Sequence, residues 1–174
     1  MVNLVGALRS CGALKFGDFT LTSGRKSHYY VDIKRAVTRP DVLRLIVKLM
    51  LPHMSTYSRI AGTELGAVPL AVALSLESSL PYIMIRREDR VHGTQRALEG
   101  ELNSGERVVL VEDVTTTGGT VKRAVEVLRH AGAVVDRVVC VLDRDEGAER
   151  SLKKLGVELL ALLKSEDLMD FSQE

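Results

Sequence analysis

From Val108 to Thr120 the chain reads Val-Val-Leu-Val-Glu-Asp-Val-Thr-Thr-Thr-Gly-Gly-Thr, an apolar run, two adjacent carboxylates, and a threonine and glycine turn entering a helical pattern. Glu112 and Asp113 stand where a buried strand is predicted to end, the place where open α/β sheets gather their ligands, and both are expected to face a crevice, not the core. Thr115, Thr116, Thr117, Gly118, Gly119 and Thr120 offer hydroxyls, room for close backbone approach and the unpaired amides of a helix N-terminus. All three suit a phosphate dianion. A solvated strand end with a helix cap would account for either acid alone. Both acids followed by this turn fit a ribose phosphate, with the carboxylates on ring hydroxyls and the turn on the phosphate. No lysine follows in the G-x-x-x-x-G-K-[ST] manner and G-x-G-x-x-G is missing, so the segment is neither a P-loop nor a dinucleotide fingerprint.

A second group is basic. Arg86, Arg87, Arg90 and His92 place three permanent cations and one titratable ring within seven positions, a clamp for a polyanion such as diphosphate. A solvated basic run is the commoner fate of such clusters. The clamp is preferred because a long polar loop, Glu88 to Gly105, follows a buried strand here, and loops of that length tend to be lids or binding loops. Arg144 stands at the end of a later strand. It is either the ion-pair partner of a neighbouring Asp143 or Asp145, or a fork for a planar carboxylate. His28, His53 and His130 have no metal-ligand spacing.

The elements that must position these residues follow from pattern. Asn3 caps a short helix stopped by Gly12. Phe16–Arg25 and Ser27–Ile33 read as a hairpin turning at Ser23 and Gly24. Val42, Leu45, Ile46, Leu49 and Met50 follow helical spacing after Pro40, and Pro52 breaks it. Short apolar runs then alternate with helical patterns: strands at Ile60–Gly62, Tyr82–Ile85, Val108–Val111, Val138–Leu142 and Val157–Leu163, and helices near Pro69, over Thr120–His130 and over Ala148–Lys154. The fold class is α/β, a central, mostly parallel sheet flanked by helices. Arg107–Val111 and Val138–Leu142 are apolar at successive positions, as strands covered on both faces require.

The length of 174 residues suits a single domain, 1–174, and 45% hydrophobic with 27% charged residues excludes a disordered chain. Twenty-four Lys and Arg against 23 Asp and Glu leave a net charge of +1, which argues against nucleic acid as partner. Two cysteines, Cys11 and Cys140, are too few for a disulfide scaffold and suit a reducing compartment. The uncharged stretch Leu65–Leu76 falls short of the roughly 20 residues of a membrane span, and no export signal opens the chain. A cytoplasmic protein with no membrane partner is expected.

The Val108–Thr120 segment resembles the phosphoribosyl pyrophosphate (PRPP) signature of the type I phosphoribosyltransferases. Three further segments resemble the orotate phosphoribosyltransferases within them. Phe16–Tyr30 is similar to their N-terminal hood, Gly62-Thr-Glu-Leu-Gly-Ala-Val-Pro-Leu70 to their pyrophosphate loop, and Arg86-Arg-Glu-Asp-Arg-Val-His-Gly93 to their mobile catalytic loop. With Arg144, the resemblance spans about residues 14 to 146. It implies a hood over about 1–35, a core over about 36–174, and transfer of ribose 5-phosphate from PRPP to orotate in pyrimidine (UMP) biosynthesis, with Mg²⁺ bound mainly through PRPP and no protein metal ligand.

By the same resemblance Arg90, His92 and Asp113 are catalytic. Arg86, Arg87, Arg90, His92, Glu112, Asp113, Val114 and Thr115–Thr120 bind PRPP, and Thr116, Arg144, Tyr29 and Tyr30 bind orotate. A homodimer sharing the mobile loop across subunits is implied too. Many bacterial members carry lysine where Thr22 and Gly66 stand here, so those side-chain contacts do not carry over. Many also have Asp in place of Glu112. The alternatives are a phosphoribosyltransferase for a purine base and a non-catalytic PRPP-sensing regulator.

Overall fold

The computed structural model describes residues 3–20, 24, 26–86 and 97–170. Asn3 Oδ1 accepts from the amides of Val5 and Gly6 at 3.0 and 3.3 Å and so caps helix α1 (Leu4–Ser10). A hairpin follows, β1 (Leu14–Thr20) antiparallel to β2 (Lys26–Val31), with Phe16 opposite Tyr29. The second strand stops short of Ile33 because the Asp32 side chain accepts from Arg35 N at 3.1 Å and starts helix α2 (Ile33–Val37), which hydrophobic spacing alone does not reveal. Helix α3 (Pro40–Met50) begins on its proline and buries Val42, Ile46, Val47 and Met50.

The remainder alternates as β3 (Arg59–Thr63), α4 (Val68–Ser78), β4 (Tyr82–Ile85), β5 (Leu98–Glu99), β6 (Val108–Thr115), α5 (Gly119–His130), β7 (Arg137–Asp143), α6 (Ala148–Lys153), β8 (Glu158–Lys164) and α7 (Ser165–Asp170). The six-stranded sheet runs β5-β4-β3-β6-β7-β8, parallel throughout except for antiparallel β5. It is the mostly parallel, helix-flanked α/β sheet that the alternation predicts. Of the stretch Glu88–Gly105, expected to be one loop, residues 97–105 are described, and Leu98 and Glu99 pair with Ile85 and Met84.

Strand β6 shows why its run is apolar at successive positions. Val109 and Val111 face one cluster, with α3, α4 and the N-terminal elements, while Val108 and Leu110 face the other, with α5. Leu4, Val5, Leu8, Leu14 and Tyr29 share the first cluster with Val139, Val141 and Leu168, so α1, the hairpin and α7 pack against the same sheet face. Cys140 is fully buried, and burial pushes its thiol up to about 12. It is an inert core side chain.

At the amino-terminal end of the sheet, Arg59 Nε and Nη2 grip Glu106 at 2.5 and 3.0 Å, with the two side chains only 9% and 19% exposed. The guanidinium holds the Glu106 carboxyl well down, from 4.5 to about 2. A depressed carboxylate stabilises the fold fully above its unfolded value, and that contribution is lost as pH falls from about 4.5 towards 2. Glu106→Gln is expected to cost about 2 kcal/mol at pH 7, between the scales of an exposed and a fully buried pair. The gap to the unsubstituted protein should close as pH falls below 4. Urea denaturation at pH 7 and pH 3 checks both points; a gap independent of pH contradicts them.

Candidate active site

The chain leaves β3 for β4 and β5 on one side of the sheet, then returns to β6, β7 and β8 on the other. That reversal makes the carboxyl ends of β3 and β6 a topological switch point, where a crevice opens between diverging connections. Thr63 ends β3, and Glu112 and Asp113 lie near the end of β6, which runs on to Thr115 and not only to Val111.

Consecutive strand residues point to opposite faces, yet at this strand end the two carboxyl groups still adjoin and differ chiefly in burial. Glu112 is 4% exposed and accepts from the Thr63 hydroxyl at 2.5 Å and from the Asp113 amide at 3.0 Å. Burial and the adjoining Asp113 carboxylate push its pKa upward. Both acids are expected to face the crevice, but Glu112 is buried and its carboxylate is bonded to Thr63 across the ends of β6 and β3. Asp113 is half-buried, accepts from Val114 N at 2.8 Å, and lies against Gly66 in the turn after β3. A Cβ at Gly66 would come within 1.9 Å of Asp113 Oδ2. The missing side chain at 66 is thus the space that the carboxylate uses.

The turn after β6 is held from below. Thr115 is buried and donates to Asp143 Oδ1 at 3.0 Å, so its hydroxyl is engaged within the protein. Arg144 N bonds Thr115 O at 2.9 Å, Ala148 N bonds Thr116 O at 3.0 Å, and Ser151 Oγ bonds Thr117 O at 3.1 Å. Gly118, at φ 84°, precedes the first residue of α5, and a Cβ there would lie 3.0 Å from Ala148 Cα. A left-handed conformation pressed against a neighbouring helix demands glycine. Thr116, Thr117, Gly119 and Thr120 remain exposed at the N-terminus of a twelve-residue helix, whose first amides have no intrahelical acceptor.

Arg144 follows β7 and is mostly buried, its side chain 16% exposed. Its partner is neither Asp143 nor Asp145 but Glu146, with Nε 3.5 Å from Oε1, and that Nε makes no hydrogen bond. The guanidinium carbon lies 5.4 Å from the centre of the Tyr29 ring. Tyr29 is buried, whereas Tyr30 is 46% exposed and tilts against Phe19 with ring centres 5.7 Å apart. The structure therefore brings Tyr29 to Arg144 and leaves Tyr30 on the outer side of the hairpin.

Arg86 ends at the sheet edge, its Nη2 2.8 Å from Glu99 Oε1 with both side chains over 40% exposed, an ion pair weak enough to exchange for a ligand. Arg87, Arg90 and His92 lie outside the described residues, as does Thr22. Glu146 escapes sequence reasoning, and Thr63 and Gly66 enter it only as members of the Gly62–Leu70 segment, without their contacts to Glu112 and Asp113.

Residues 57–158 match the family model of the phosphoribosyl transferase domain. The chain is 47% identical to the orotate phosphoribosyltransferase of Methanosarcina mazei over 169 residues, covering 95% of this chain and 90% of that protein. The structure of orotate phosphoribosyltransferase from Aeropyrum pernix superposes with a TM-score of 0.90 at 33% identity, over 98% of both chains. UMP synthase of Leishmania donovani is similar at a TM-score of 0.83 and 38% identity; 96% of this chain matches 37% of that longer one.

Proposed function

Because the chain belongs to the phosphoribosyltransferase family, and within it to the orotate phosphoribosyltransferases, we propose how its residues divide the work of joining orotate to PRPP. The products are orotidine 5′-monophosphate and diphosphate, a step of pyrimidine biosynthesis. One observation carries the assignment: Asp113, seated on Gly66 at the switch point, adjoins the threonine and glycine turn that opens α5.

In the reaction the bond from C1′ to the diphosphate oxygen breaks, cationic charge spreads into the ribose ring, and orotate N1 supplies the electron pair of the new bond as its own proton is released. No covalent protein intermediate is needed, so the protein works by alignment and by placing charge where charge develops. Asp113 accepts from ribose hydroxyls. The exposed amides and hydroxyls of Thr116, Thr117, Gly119 and Thr120 take the 5′-phosphate, with Val114 and Thr115 fixing the strand end beneath. Arg144 takes the orotate carboxylate, and the backbone near Tyr29 and Tyr30 takes the pyrimidine.

Arg86, Arg87, Arg90 and His92 neutralise the leaving diphosphate. Hard phosphate oxygens and water are the usual ligands of Mg²⁺, which in this reading is held mainly through PRPP and supplies further neutralisation of that group. The protein is a single domain with a hood over about 1–35 and a core over about 36–174, and it works in the cytoplasm; among the described residues no helix is long and apolar enough to cross a membrane.

A homodimer sharing the Arg86–Gly93 loop completes the reading. Helix α4 is apolar on nearly every side, yet Leu76 is 79% exposed and lines a groove of about 480 Å³ with Leu43, Val47, Leu51 and Ala73, alongside the charged Arg44, Lys48 and Glu77. An apolar helix face of this kind suits a second copy. Sedimentation is expected to show a dimer, and an active monomer would contradict it.

The function itself is tested by turnover with PRPP, Mg²⁺ and single bases. Loss of orotate absorbance with release of diphosphate is expected. Conversion of purines alone would replace the reading by that of a purine enzyme, and PRPP binding without diphosphate release by that of a sensor.

A further inference from the structure

Behind Arg144 a chain of contacts runs to the carboxyl-terminal helix. The Tyr29 hydroxyl and Ser165 Oγ are 2.9 Å apart, a hydrogen bond between residues 136 positions apart in sequence. Ser165 is fixed on its other side, since its amide donates to Asp145 Oδ2 at 3.1 Å, and the Asp145 amide donates to Asp143 Oδ1 at 3.2 Å. Asp143 also accepts from Thr115, at the end of the strand that leads into the phosphate turn. Fully buried Leu168 anchors α7 one turn later. Ser165 is therefore not a loose surface hydroxyl.

We propose that Ser165, at the start of α7, is a positioning residue of the base site: by bonding the Tyr29 hydroxyl it fixes the ring on which the Arg144 guanidinium rests. The inference builds on the assignment of Arg144 to the orotate carboxylate. Beside the ring, Arg144 has the Glu146 carboxylate, which lies 3.5 Å from an Nε that makes no hydrogen bond. A cation over an aromatic face is held loosely in angle but well in height, so the ring position sets where the fork presents its outer nitrogens. Tyr29 belongs to the hairpin and Arg144 to the turn after β7; the Tyr29–Ser165 bond ties the hairpin to the start of α7, whose first amide is bonded to Asp145 beside Arg144. A fork that is free to tilt loses the coplanar bidentate geometry that a carboxylate selects.

Steady-state kinetics of the full chain test the proposal. Ser165→Ala and Tyr29→Phe are each expected to raise KM for orotate roughly three- to tenfold, the scale of one hydrogen bond. KM for PRPP should stay within about twofold, because the phosphate turn keeps its own supports. Ser165→Thr, which keeps the hydroxyl, should restore the orotate KM, and the double variant should be no worse than either single one. An unchanged orotate KM in Ser165→Ala and Tyr29→Phe, equal rises in both KM values, or additive losses would overturn it. Failure of the unsubstituted enzyme to consume orotate would instead remove the functional assignment, and this inference with it.

Discussion

Arg144→Ala is expected to lower kcat/KM for orotate by about 100-fold, nearly all of it in KM, while KM for PRPP stays within about twofold. The size follows from where the guanidinium sits. Its side chain is 16% exposed, with an aromatic ring on one side and Glu146 on the other, so a carboxylate that reaches it meets a desolvated cation. Removing one member of such a pair costs roughly 2 to 5 kcal/mol, because the other is left buried and uncompensated. The same substitution should narrow the preference for orotate over uracil, which lacks the carboxylate. Arg144→Lys should recover only part of the loss, since an ammonium is a point charge and cannot make two parallel bonds. Kinetics with both bases decide the matter: an Arg144→Ala enzyme that keeps its orotate KM would leave this residue with a structural part only.

The contrast between Glu112 and Asp113 shows how much of this site was legible in the sequence. Two acids after an apolar run, followed by a threonine and glycine turn, raise the expectation of a sugar-phosphate site at a strand end because each residue type there has a narrow set of uses. Local pattern also finds the helix over α5 and the central strands, whose apolar runs need no partner to be recognised. It says less about direction. Whether an acid stays open to solvent or is bonded to a neighbouring strand depends on where that strand stops, and Thr63 lies 49 residues away from Glu112. The short elements α2, β5 and α7 are hidden for a related reason. They owe their existence to a cap at Asp32, to the free edge of β4 and to the burial of Leu168, and a few residues are too short for hydrophobic spacing to register. The partners of Arg144 follow the same logic: charge alone points to Asp143 and Asp145, but the turn after β7 swings Glu146 and Tyr29 to it instead.

Gly66→Ala should lower kcat/KM for PRPP by about 100-fold although it adds a single methyl group to the turn after β3. A Cβ there would meet Asp113 Oδ2 at 1.9 Å, Cγ at 2.4 Å and Oδ1 at 3.0 Å, distances at which the carboxylate cannot stay. Either Asp113 rotates away from the switch point or the turn after β3 retreats, and both outcomes separate the acid from the position where ribose hydroxyls are to be held. Loss of one preorganised group aimed at the reacting sugar is worth about 10²–10³ in rate. The core is untouched, so thermal stability should change little. Asp113→Ala supplies the control. If the methyl group acts by displacing the carboxylate, Gly66→Ala adds little to an enzyme that already lacks it, and the double variant matches Asp113→Ala alone. Full activity in Gly66→Ala would show that the acid need not occupy the notch. Losses that multiply in the double variant would show that residue 66 acts on the diphosphate by a route of its own.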